Sequence, residues 1–121
     1  MRLASNLLVG LVALQHVAFL ILEMFFWTRP LGLKIFRMTR AHAESSTVLA
    51  KNQGLYNGFL AAGLTWSLFA QDPQWGFSLK VFFLGCVIVA GIYGSLTAPR
   101  SILIVQAIPA VTALFFTWMA R

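Results

Sequence analysis

From Leu3 to Trp27 the chain is apolar, interrupted only by Ser5, Asn6, Gln15, His16 and Glu23. About 20 such residues cross a hydrocarbon core as a helix. Lipid offers no partner for backbone N–H and C=O groups, so a spanning segment must close its hydrogen bonds within itself. Three more runs follow, at about Val48 to Phe69, Leu79 to Ala98 and Ser101 to Met119. The chain is 60% hydrophobic and 10% charged, whereas soluble domains are about 45–50% apolar and about 25% charged. The expected fold is all-α: an integral membrane four-helix bundle with a short interfacial helix in the first connection. It forms a single transmembrane domain over 1–121, with helices at about 3–27, 48–69, 79–98 and 101–119 and a basic cytoplasmic loop at 28–47. Arg2 before a hydrophobic stretch raises the alternative of a signal peptide. The run is too long for an h-region and lacks a small-x-small cleavage site, so a retained helix is expected.

The net charge of +6 comes mainly from that loop, which with Lys51 holds five of the nine Lys and Arg residues. Anionic lipid and topology account for it, so nucleic acid is not an expected partner. Arg29-Pro30 stops the first helix. Lys34, Arg37 and Arg40 then alternate with Leu33, Ile35, Phe36 and Met38, the pattern of a short amphipathic helix over Leu31 to Arg40. Glu44-Ser45-Ser46-Thr47 offers capping groups for the second span. Gln71-Asp72-Pro73-Gln74-Trp75-Gly76 reads as a turn, and Pro99-Arg100 as a tight connection. The first and third connections carry most of the positive charge, which places both termini outside and the basic loop in the cytoplasm. Trp27, Trp66, Trp75 and Trp118 all fall near span ends, as an aromatic belt requires.

With that orientation, polar side chains gather at one depth. Glu23 lies near the cytoplasmic end of the first span, and Gln53, Tyr56 and Asn57 lie in the first turns of the second. Tyr93 and Thr97 sit at the exit of the third, and Gln106 near the entry of the fourth. A rise of about 1.5 Å per residue puts them roughly 5–12 Å below the cytoplasmic surface. The outer half is expected to hold almost nothing polar. Gln53 and Asn57 share a helix face at i, i+4 with Tyr56 beside them. Glu23 stands apart, since a carboxyl within a span is costly and points to function. It could instead pair structurally with Lys51 or Arg29. Gln15, Thr97 and Gln106 read as hydrogen-bonding glue between helices. The ligand-binding set is therefore Glu23, Gln53, Tyr56, Asn57, Tyr93 and Gln106. The candidates for acid/base work are Glu23, His16 and Tyr56.

Cys86 is alone, which excludes an intrachain disulfide, and His16 and His42 do not make a metal cage; no metal and no cofactor are expected. Gly54, Gly58 and Ala62 form a small-residue row, as do Cys86, Ala90, Gly94 and Ala98, which suits close helix packing within or between chains. A homo-oligomer is expected. Pro109 lacks an N–H and so leaves the Val105 carbonyl without its helical partner.

Leu22-Glu23-Met24-Phe25-Phe26-Trp27 and Asn52 to Leu64 resemble blocks of a bacterial family of small four-helix membrane proteins, domain of unknown function 1304. Phe82 to Gly94 and Gln106-Ala107-Ile108-Pro109-Ala110 are similar to later blocks. The resemblance covers nearly the whole chain and implies the architecture and a multi-pass protein of the bacterial inner membrane, without implying an activity. Arg40-Ala41-His42 resembles the opening of a motif in the membrane-associated eicosanoid and glutathione family. There an asparagine and then a glutamate follow. Here Ala43-Glu44-Ser45-Ser46 follows, so the glutathione-binding constellation is not reproduced and the likeness is one of architecture.

The leading functional expectation is a cytoplasm-facing polar pocket within the membrane that binds or transports a small or amphipathic ligand, with lipids as its surroundings. A membrane enzyme on a lipophilic substrate, an isomerase or a glutathione-transferase-like protein, is the alternative. A structural assembly partner is a third.

Overall fold

The computed structural model describes residues 1–97 and 100–121. Among them the chain is all-α, with helices α1 (Arg2–Phe25), α2 (Pro30–Ile35), α3 (Arg40–Ser45), α4 (Thr47–Phe69), α5 (Pro73–Thr97) and α6 (Arg100–Met119). By length and composition, α1 and α5 are long and apolar enough to cross a membrane. The connection expected at Pro99, and Ala98 at the end of its small-residue row, lie outside the described residues. The chain divides into two compact units, Met1–Gln15 with Leu60–Arg121, and His16–Phe59.

In the first unit α5 and α6 pack together. The core joins Val9, Val12 and Ala13 of α1, Leu64 of α4, Leu84 and Val87 of α5, and Ala110 and Ala113 of α6. These side chains are small to medium, and polar groups are buried with them: Ser5, Ser67, Gln106 and Thr117. The large apolar side chains face outward. Leu3, Leu7, Leu11 and Leu14 form an exposed stripe on α1, as do Phe82, Val89, Ile92 and Leu96 on α5. Phe83 lays its ring where a side chain on Gly63 would stand, so that glycine lets α4 and α5 approach closely. Pro109 sits inside α6, and the Gln15 amide donates to the Val105 carbonyl at 3.2 Å. The hydrogen bond that proline removes within α6 is thus replaced from α1.

In α5 the helix begins at Pro73, earlier than the start expected near Leu79. Asp72 is the reason: its Oδ1 accepts from the Gln74 and Trp75 amides at 2.8 and 3.3 Å, and proline fits the first helical position.

In the second unit the basic loop is folded. Where one helix was expected over Leu31 to Arg40, α2 and α3 form instead, parted at Arg37, whose φ is 51°. The Met38 amide closes back on the Leu33 carbonyl at 3.1 Å, the bond that ends a helix through a left-handed residue. Thr39 then caps α3 by accepting from the His42 amide. Ser46 and Thr47 were expected to cap the second span. Their hydroxyls instead donate backward to the carbonyls of His42 and Ala43, at 2.7 and 2.9 Å, at the end of α3, where the His42 carbonyl also accepts from the Ser46 amide at 3.1 Å. Trp27 ties the loop down: its indole N–H donates to Ser46 Oγ at 3.1 Å, and its ring centroid lies 4.8 Å from that of Phe36. Arg29, Lys34, Arg37 and Arg40 remain exposed.

Candidate functional site

Glycine positions the polar centre of the second unit. A Cβ on Gly54 would stand 2.7 Å from Met24 Cγ, 3.1 Å from Glu23 Cβ and 3.2 Å from the Leu20 carbonyl. One on Gly58 would stand 2.7 Å from Leu20 Cδ1. The backbone of α4 therefore lies directly on α1, and Asn57, on the same face between these glycines, is brought to Glu23. Its Nδ2 donates to Glu23 Oε1 at 2.5 Å. Glu23 is 5% exposed and is the one acidic residue of α1. Its partner is this carboxamide rather than the Lys51 or Arg29 considered from the sequence, both of which are exposed.

His16 is fully buried on α1, and its ring meets Phe19 edge-on at 5.6 Å. Tyr56, expected beside Glu23, is 60% exposed and packs its ring near Phe59 at 6.0 Å. Gln53 is exposed as well. The reason is angular: Gly54 and Gly58 face α1, so Asn57 is carried inward while Gln53 and Tyr56 fall toward the outside. Ala62 departs from the small-residue row in the same way, being exposed while Ala61 is buried.

The remaining two candidates belong to the first unit. Gln106 is buried, at 7% exposure. Tyr93 is 69% exposed and lines a shallow apolar groove with Cys86 and Ala90. Thr97 donates to the Tyr93 carbonyl within α5 at 3.1 Å. Of the expected ligand-binding residues, the structure joins Glu23 and Asn57 directly. Among the described residues no cluster of His, Cys, Asp and Glu could hold a metal ion.

A second gathering of polar groups was missed. Ser5, Asn6, Ser67, Lys80 and Thr117 surround a cavity in the first unit, at positions the expected topology assigns to the outer half of the bundle. They are spread over the four long helices, and no spacing in the sequence links them. Only the packing of α1, α4, α5 and α6 assembles them.

The chain is small and, among the described residues, all-α, with two helices of spanning length and a carboxyl–carboxamide pair between closely packed helices. The chain belongs to a family described as protein of unknown function (DUF1304), whose model matches residues 10–118. It is similar to uncharacterized protein YpaA of Lactococcus lactis subsp. lactis, at 33% identity over 116 residues, covering 94% of this chain and 96% of that protein. No solved structure matches the chain.

Proposed function

We propose that this is a multi-pass protein of the bacterial inner membrane, with α1, α4, α5 and α6 spanning and both termini outside, that binds a small or amphipathic ligand at the cytoplasmic side through Glu23 and Asn57. The inverted packing supports the membrane setting. Large apolar side chains cover the outside of α1 and α5 while serine, threonine and glutamine are buried. A contiguous apolar surface of this kind is a liability in water and a fit to lipid. The exposed bases of α2 and α3 suit the anionic cytoplasmic leaflet.

The observation that carries the ligand reading is Glu23 itself. A carboxyl buried in a spanning helix is costly, and here a neutral amide rather than a cation holds it. The group thus keeps the capacity to bind a cationic or hydrogen-bonding ligand, or a proton. Transport rather than binding alone would require a path through an oligomer, since one chain of this size has only four spans.

Native mass spectrometry of the protein released from bacterial membranes tests the reading. The wild type should carry a bound small molecule that Glu23→Gln and Asn57→Leu lose while staying folded. No adduct on the wild type, or the same adduct on all three, would sink the reading. Reporter fusions after Arg121 and within Leu31 to Arg40 should report outside and cytoplasm; a cytoplasmic C-terminus would move the site to the other leaflet.

A further inference from the structure

We propose that the cavity between α1, α4, α5 and α6 in the first unit is an anion site that takes a phosphate-type oxyanion. Its volume is about 280 Å³, near the lower end of small-molecule pockets, which run from about 300 to 1,000 Å³. That is room for a head group or a small free anion.

The lining is cationic and rich in donors. Arg2, Lys80 and Arg121 contribute to it, and no Asp or Glu side chain does. The chain has three acidic residues. Glu23 and Glu44 belong to the other unit. Asp72 turns its Oδ1 to the Gln74 and Trp75 amides at the start of α5. Three like charges around one cavity repel one another, and a bound anion offsets that repulsion.

The charges are held in place. Lys80, partly buried, donates to Asn6 Oδ1 at 2.5 Å, which uses one of the three protons on its ammonium. The Arg121 guanidinium lies 4.9 Å from the Trp118 ring centroid and 5.7 Å from that of Phe77, a stacking that fixes its plane and leaves its edge free to donate. At the base, the buried hydroxyls of Ser5 and Thr117 bond each other at 2.8 Å.

The distribution of charge along the chain adds an independent argument. Six of the nine Lys and Arg residues fall on the side of the basic loop. The three that do not are Arg2, Lys80 and Arg121, far apart in sequence, and all three line this one cavity. Topology places them on one side, and the packing of α1, α4, α5 and α6 brings all three around one cavity.

The chemistry is shared by two sources, the phosphate of an anionic lipid and a free phosphate. Isothermal titration of the full chain in a neutral maltoside detergent separates them, using inorganic phosphate, dihexanoylphosphatidylglycerol and zwitterionic dihexanoylphosphatidylcholine as probes. The wild type should bind one or both of the first two, more weakly as salt rises. The double variant Arg2→Gln/Arg121→Gln, altered at exposed positions, should lose about tenfold or more in affinity. Lys80→Gln, which retains a donor for Asn6, should lose a similar factor. Lys51→Gln, at an exposed position of α4 outside the cavity, should bind as wild type. A response to inorganic phosphate assigns a free anion, and a response to the glycerol lipid alone assigns a head group. The proposal is overturned if the wild type binds neither, if the choline lipid binds equally, or if Lys51→Gln loses as much as the pocket variants.

Discussion

The Asn57 carboxamide donates to Glu23 Oε1 at 2.5 Å across the contact of α1 with α4. What this bond needs from Glu23 is an acceptor oxygen, which glutamine also supplies. Asn57→Leu leaves a buried carboxyl without its partner and should destabilise by about 1–3 kcal/mol. Glu23→Gln should cost less, about 1 kcal/mol or under, because the amide oxygen still accepts. Replacing both by leucine should recover much of the loss, since no orphaned polar group remains. Urea unfolding in detergent, followed by circular dichroism, ranks the three. Glu23→Gln proving the most damaging would show that charge, not the acceptor, holds the pair.

Gly54 sets the spacing that makes this bond possible. A methyl there meets the Leu20 carbonyl and Glu23 Cβ as well as Met24, and two of these contacts are backbone or close to it, so they yield poorly. Gly54→Ala should therefore destabilise by about 1–3 kcal/mol. Leu55→Ala, the neighbouring exposed position, should change stability little. Leu64 would be a poor control, because it is fully buried in the core. Equal effects of Gly54→Ala and Leu55→Ala in the same unfolding assay would rule out close helix approach at Gly54.

Arg37 adopts a φ of 51° between α2 and α3, a conformation that costs a residue with a Cβ about 1–2 kcal/mol. Arg37→Gly removes that strain and gives back part of it as chain entropy. The variant should gain about 0.5–1 kcal/mol, whereas Arg37→Val should lose stability. Thermal melts of the two variants decide; a loss on both would mean that the arginine side chain stabilises the turn.

Periodicity and hydropathy made the long helices legible, because apolar runs of about 20 residues are far longer than ordinary strands. What stayed hidden depended on angles and neighbours. Gln53, Tyr56 and Asn57 are equally polar and lie within one helical turn, and only the glycine face decided that Asn57 would reach Glu23. The break at Arg37 was invisible because no glycine or proline marks it. The early start of α5 is legible in Asp72-Pro73, a capping residue followed by proline, although the same residues also carry a turn signal. The cavity lined by Arg2, Lys80 and Arg121 could not be read at all, since its members are scattered from one end of the chain to the other.

Pro109 shows a need that the sequence displays and a partner that it conceals. Without an N–H at that position, the Val105 carbonyl loses its helical bond, and the Gln15 amide takes the place at 3.2 Å. Gln15 is an imperfect substitute, for its Oε1 is buried without a hydrogen-bond partner. Gln15→Leu in the native chain should therefore cost about 1–3 kcal/mol, the penalty of an orphaned carbonyl. With Pro109→Ala the helix can bond Val105 itself, and Gln15→Leu should then be neutral or stabilising, because it also removes the unpaired oxygen. The double-mutant cycle should show a coupling of at least about 0.5 kcal/mol between Gln15 and Pro109, mediated by one carbonyl. Additive effects within experimental error would mean that the amide of Gln15 does not satisfy Val105.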